Sequence, residues 1–277
     1  MRIVKSVLIV LSFIVFIIVA SCAHILVTFL RPQGRWHVMS YLGFCLIKFL
    51  RRLLGIRVQI RGNREVLNEK GNFIISRHVS YTDGLILGSL LPSILLSKDE
   101  IRRWPLIGLV TAISGTVFVD RQKKNKVAEP LEKMIELLKG RINVVVFPEG
   151  TSSDGTALKP FQAVFFQAPI AAYSPVVPVT ISYVRCDGRR IDEANRGQIF
   201  WWGQVSFFEH LWNLLKFRRI DVTVTLHNKI STRHYDDTSL DRKQLCQYCF
   251  EYLNQAMGGR TEVVEARESE VLISHQN

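Results

Sequence analysis

The stretch Asn72-Phe73-Ile74-Ile75-Ser76-Arg77-His78-Val79-Ser80-Tyr81-Thr82-Asp83 decides how the chain is read. It opens on a short, nearly continuous apolar run, the pattern of a strand buried on both faces of a sheet. Polar residues follow, and Thr82 is suited to cap a helix running through Leu85, Ile86, Leu87 and Leu90. A strand that passes straight into a helix opens a strand–helix–strand unit. In open α/β sheets, ligands bind outside the carboxyl ends of such strands. The pattern recurs: residues 57–60, 94–96, 116–119, 142–147, 176–181 and 221–226 are further strand-like runs. Leu131, Met134, Ile135 and Leu138 line one face of an intervening helix, with Pro130 in its first turn and Gly140 at its C-cap. Thr238 and Asp241 form a capping box for a helix near 239–256. The alternation predicts an α/β fold, a largely parallel sheet flanked by helices.

Composition sets the outer bounds. Hydrophobic residues are 48% of 277, too many for a disordered chain and ample for a buried core. Past residue 55 no apolar run reaches the ~18–20 residues of a bilayer span, which excludes a multi-span membrane protein. The five cysteines are odd in number and follow no framework spacing, as expected in a reducing compartment. Cys246-x-x-Cys249 falls within a helix without a second pair, so it reads as core packing and no metal is expected. Lys and Arg total 36 against 24 acids, a net charge of +12 that favours a polyanionic partner. The cations are scattered as Arg51-Arg52, Arg102-Arg103, Lys123-Lys124, Arg189-Arg190 and Arg218-Arg219; each pair also reads as ordinary solvated surface. Nucleic acid is not expected, because no recognition-helix motif or zinc spacing accompanies the charge.

The N-terminus selects among polyanions. From Ser6 to Leu30 the only titratable side chains are His24 and Cys22, which is length enough for a membrane-anchoring helix. A cleaved signal peptide competes, with Arg2 and Lys5 as its basic start, but the apolar run exceeds the usual ~7–15 residues. Val19-Ala20-Ser21-Cys22 resembles a lipobox, yet apolar residues continue beyond it through Leu30. A second stretch, residues 41–54, has the length of an interfacial helix, with Arg51 and Arg52 placed to reach head groups. The chain thus divides into an anchor (1–55), a catalytic domain (56–257) and a polar tail (258–277). Arg31, Arg35, Arg51 and Arg52 follow the anchor, which places the body on the cytoplasmic face of the inner membrane.

Three strand ends carry reactive groups. His78 lies in the loop after its strand and Asp83 in the first turn of the helix, an offset that lets the carboxylate orient the imidazole. Taken alone, a histidine near a strand end is more often structural. Phe147-Pro148-Glu149-Gly150-Thr151-Ser152-Ser153-Asp154-Gly155 follows the most hydrophobic strand; its amides suit an anion, and a plain turn explains Asp154-Gly155 equally well. Gly115-Thr116-Val117-Phe118-Val119-Asp120-Arg121 ends in a guanidinium that suits a phosphate, or in an Asp120–Arg121 surface pair.

Taken together, these motifs resemble the glycerolipid (lysophospholipid) acyltransferase family, whose bacterial members include the 1-acylglycerol-3-phosphate acyltransferases. His78 and Asp83 match the family's His-x4-Asp, and 115–121 match its Gly-x-Ile-Phe-Ile-Asp-Arg. Phe147 to Thr151 with Ser153 match Phe-Pro-Glu-Gly-Thr-Arg-Ser, and Val177-Pro178-Val179 match a Val-Pro-Val-like strand. The resemblance covers residues 56–230. It implies acyl transfer from a coenzyme A or acyl carrier protein thioester to a lysolipid hydroxyl, most simply 1-acyl-sn-glycerol-3-phosphate. It makes His78 and Asp83 catalytic and puts Arg121, Glu149 and Gly150 at the acceptor's polar head, with Thr151 and Ser153 assisting. No cofactor is implied beyond the thioester co-substrate. The implied partners are the lysolipid, the donor, the anionic membrane and acyl carrier protein. Ser152 departs from the family's Arg, and Thr151-Ser152-Ser153-Asp154-Gly155 with the later Trp201-Trp202-Gly203 resembles members acting on lyso-ornithine lipid or other lysolipids. A lipase or thioesterase is the competing enzyme class, but no Gly-x-Ser-x-Gly elbow is present.

Overall fold

The computed structural model describes residues 1–30, 34–120, 127–235 and 239–258. Arg31, Arg121, the Lys123-Lys124 pair, Thr238 and the tail from residue 259 lie outside the described residues. In chain order, the N-terminal helices are α1 (Arg2–Leu30) and α2 (Arg35–Leu53). Then come β1 (Ile56–Gly62), β2 (Phe73–Ser76), α3 (Tyr81–Gly88), β3 (Ser93–Lys98), α4 (Ile107–Ile113), β4 (Val117–Val119), α5 (Ala128–Lys139) and β5 (Asn143–Val146). The chain continues through α6 (Gln167–Ala171), β6 (Val176–Cys186), β7 (Arg189–Arg190), α7 (Phe207–Leu214), β8 (Ile220–Leu226) and α8 (Ser239–Gly258).

The sheet runs β1-β8-β6-β2-β5-β3-β4, with β7 paired to β6. Every pairing along it is parallel except β6 with β8, and β7 also lies antiparallel to β6. The expected largely parallel sheet is therefore present. β2 and β5 are its centre, and all four residues of each are buried. Alternation then divides their side chains between two cores. Ile74 and Val145 face one with Ile86 and Leu87 of α3. Phe73, Ile75, Val144 and Val146 face the other with Met134 and Leu137 of α5 and Leu253 of α8. Cys246 and Cys249 belong to this second core as free thiols, and burial pushes both up, Cys246 to about 11. β7 is not among the expected strands: Arg189 and Arg190 are a short exposed edge.

The N-terminal pair packs on the body. Phe16 and Ala20 of α1 are buried against Leu46 and Leu50 of α2 and Val110 of α4. Lys5, a basic flank by its place in the sequence, instead donates from Nζ to the carbonyl of Phe217 at 2.7 Å. The opposite side of α1, including Ile3, Val7, Leu11, Ile14 and Ile18, stays exposed. Residues 2–29 form the one described helix long and apolar enough to cross a membrane.

Candidate active site

The local sequence makes Asp83 serve two purposes. The N-cap of α3 is Ser80, not the expected Thr82: its hydroxyl accepts from Thr82 N, and the Asp83 carboxylate accepts from Ser80 N at 2.8 Å. This capping box fixes Asp83 at the helix start. The same Oδ2 accepts from Val79 N at 2.7 Å and lies 3.0 Å from His78 Nδ1. Since a carboxylate only accepts, Nδ1 carries the proton, which in the neutral imidazole makes Nε2 the acceptor. Asp83 is fully buried, whereas the His78 side chain is 20% exposed and stacks on Phe147 at 4.3 Å.

Sequence reasoning missed Tyr183. This β6 tyrosine donates its hydroxyl to Asp83 Oδ1 at 2.6 Å and meets Thr82 Oγ1 at 2.6 Å. Burial first, then the Asp83 charge, raises the phenol well above its ordinary range, so it stays a donor. Nothing local signals the contact, because Tyr183 lies 100 residues downstream.

The central strand pairing extends into the loops. β2 and β5 pair Ile75 with Val146, and three residues on, His78 N donates to Glu149 Oε1 at 2.6 Å. Glu149 Oε2 accepts from Lys159 N at 2.9 Å. Both Glu149 oxygens thus hold backbone amides, and the residue is buried. Desolvation raises its carboxyl above the usual range, against the pull of those amides. Ser153 N donates to the His78 carbonyl at 2.9 Å, and its hydroxyl does so at 3.3 Å. The His78 backbone is therefore gripped on both sides by the 147–155 loop. Gly150 closes a tight turn, donating to Phe147 O with φ +79°, a conformation costly for any residue with a Cβ. Thr151 and Ser152 are half-buried beside it. β4 is parallel to β3 and β3 to β5, so the strand leading to Arg121 ends on this same sheet edge.

Glu149→Gln tests the brace. A buried amide presents one N–H group where two backbone donors now find acceptors, so the substitution is expected to cost about 1–3 kcal/mol of stability. Chemical denaturation measures it; an unchanged midpoint would show that the carboxylate does not hold the loop.

A buried carboxylate that fixes one imidazole nitrogen, at the carboxyl edge of a parallel sheet and with the other nitrogen left as acceptor, is the arrangement of a general base. The comparisons agree with a transferase. Residues 57–182 match the family model described as Acyltransferase. A lyso-ornithine lipid O-acyltransferase of Pseudomonas aeruginosa is 32% identical over 195 residues, covering 70% of this chain and 71% of the relative. The chain belongs to the acyltransferase family. A second lyso-ornithine lipid O-acyltransferase, from Brucella abortus, is 29% identical and covers 72% of this chain and 75% of its own. A 1-acyl-sn-glycerol-3-phosphate acyltransferase of Neisseria gonorrhoeae is 30% identical over 56% of this chain and 58% of its own. The crystal structure of the 1-acyl-sn-glycerophosphate acyltransferase PlsC from Thermotoga maritima shares the fold, with TM-score 0.55 at 18% identity over 94% of this chain and 99% of that one.

Proposed function

We propose that this chain moves a fatty acyl group from a coenzyme A or acyl carrier protein thioester to the free hydroxyl of a lysolipid, at the cytoplasmic face of the inner membrane. The observation that carries the chemistry is the Asp83–His78 bond at 3.0 Å with Nε2 left free to accept. Nε2 takes the proton of the lipid hydroxyl as the oxygen attacks the thioester carbonyl. The tetrahedral intermediate then collapses, the carbon–sulfur bond breaks, and the imidazolium returns the proton to the departing thiolate. Asp83 stabilises the imidazolium, and Tyr183 spreads part of the carboxylate charge. A base of this kind contributes ~10²–10⁴-fold. Arg121, with Gly150 and Thr151, is assigned to the acceptor's polar head; Glu149 and Ser153 act by holding the loop. The favoured acceptor is lyso-ornithine lipid, because Ser152 removes a guanidinium suited to a phosphate. The second reading, 1-acyl-sn-glycerol-3-phosphate, rests on the phosphate-gripping form of the motif at 115–121. α1, packed along one side and apolar on the other, supports attachment within one leaflet.

The test is transfer from labelled coenzyme A and carrier-protein thioesters to a panel of lysolipids. Label in a diacyl product supports the proposal, and the panel ranks the acceptors. Label released only as free fatty acid, with or without acceptor, would make the enzyme a thioesterase.

Tyr183→Phe tests the third member of the relay. Without the phenol, Asp83 holds more negative charge and favours the imidazolium, so the acid limb of kcat/KM is expected to move to higher pH. An unmoved limb would reduce Tyr183 to packing.

A further inference from the structure

Outside α1 and α2, the large apolar side chains that stand exposed gather on two adjoining segments. Leu106 and Leu109 lie at the start of α4; Val205, Phe208 (58% exposed) and Trp212 (44%) lie before and along α7. Apart from Met1, which precedes α1, only Tyr173 and Val184 among the described residues stand exposed elsewhere. The segments touch, for the Trp104 ring lies 4.5 Å from Phe207 and 6.1 Å from Phe208. The patch continues onto α1. Arg2 sits over the Trp212 ring at 5.6 Å, and Met1, Ile3, Trp212 and Lys216 line one shallow depression. On the other side, Val110 and Ile113 of α4 pack with Phe16 of α1. The patch is also rooted in the catalytic loop. Tyr81, three residues after His78, bonds His210 Nδ1 through its hydroxyl at 3.0 Å, and its ring meets Phe207 at 4.9 Å and Trp201 at 5.9 Å.

We infer that this patch is a bilayer-docking surface of the catalytic domain, seated in the head-group region of an anionic leaflet beside α1. The inference rests on the membrane reading above. Tryptophan and phenylalanine next to cations are the side chains that settle at a membrane interface. Arg102, Arg103, Lys216, Arg218 and Arg219 are exposed around the patch and outnumber the exposed Glu100, Asp187 and Glu209. That surplus attracts anionic lipid and repels a second copy of the same surface. Docking in this way brings the Tyr81 loop, and with it His78, to the depth at which a lysolipid presents its hydroxyl.

The test uses the full chain with Cys22, Cys45 and Cys186 replaced by serine. A polarity-sensitive fluorophore is attached in turn at Phe208→Cys, at Val15→Cys on the exposed side of α1 and at Tyr173→Cys, which is 70% exposed on a distant loop. Vesicles of phosphatidylcholine and phosphatidylglycerol are added. The label at 208 is expected to brighten about threefold, as at 15, while that at 173 stays as in water. A bright label at 15 with an unchanged one at 208 overturns the docking surface and leaves the membrane reading standing. Failure of the chain to float with vesicles overturns both. Brightening at 208 that follows protein concentration without lipid shows self-association and also overturns it. In parallel, the double variant Phe208→Ser/Trp212→Ser is expected to raise KM for vesicle-borne lysolipid about tenfold with kcat unchanged. An unchanged KM counts against the proposal.

Discussion

Replacing His78 by alanine is expected to lower turnover by about 10²–10⁴-fold and leave the fold standing. The rate falls because the lipid hydroxyl, protonated at neutral pH, loses the group that removes its proton. The fold survives because the loop is held by its main chain. Glu149 still accepts from residue 78 N, and Ser153 N still donates to its carbonyl. What is lost is the stack on Phe147 and one bond to Asp83, a cost of about 1–2 kcal/mol. Steady-state rates on the purified variant, with circular dichroism and thermal melting, separate the two effects. A variant that keeps more than a tenth of wild-type turnover would remove His78 from the chemistry.

Asp83→Asn is the second large effect, expected at about 10²–10⁴-fold in kcat. Asparagine retains an oxygen where Val79 N, Ser80 N and His78 Nδ1 converge. Its amide nitrogen replaces Oδ1, and Tyr183 then turns from donor to acceptor and passes its own proton to Thr82. The geometry therefore largely persists while the charge disappears, at a stability cost of about 1–3 kcal/mol. An imidazolium without its counter-ion is less stable, so the acid limb of the rate profile moves to lower pH. That is opposite in sign to the shift expected for Tyr183→Phe. A drop in rate with an unmoved limb would make Asp83 a helix cap and no more.

Much of this is legible in the amino-acid sequence. All seven expected runs are strands: Phe73–Ser76 and Asn143–Val146, buried throughout, announce themselves as apolar runs, whereas Ile220–Leu226 shows the alternation of a half-buried strand. The His78–Asp83 contact is legible because it is local: one loop and one helical turn determine it. The cap is not, because Ser80 and Thr82 are both hydroxyl residues at the helix start, and only the backbone angles of Ser80 choose between them. Contacts that depend on strand order are hidden as well. Tyr183 reaches Asp83 because β6 lies beside β2, and no periodicity encodes that neighbour. The family resemblance puts Glu149 at the acceptor's polar head. Its two oxygens accept from the amides of His78 and Lys159, 71 and 10 residues away, contacts that a sequence does not display.

Direct transfer is the central claim: the acceptor hydroxyl attacks the thioester while His78 holds its proton, and the protein forms no bond to the acyl chain. Mixing enzyme with labelled acyl thioester, quenching under denaturing conditions, and repeating with lysolipid present tests this most directly. The expected result is unlabelled protein throughout, with label entering the lipid ester only when acceptor is added. Protein-bound label that builds up without acceptor and is then chased into lipid would contradict it.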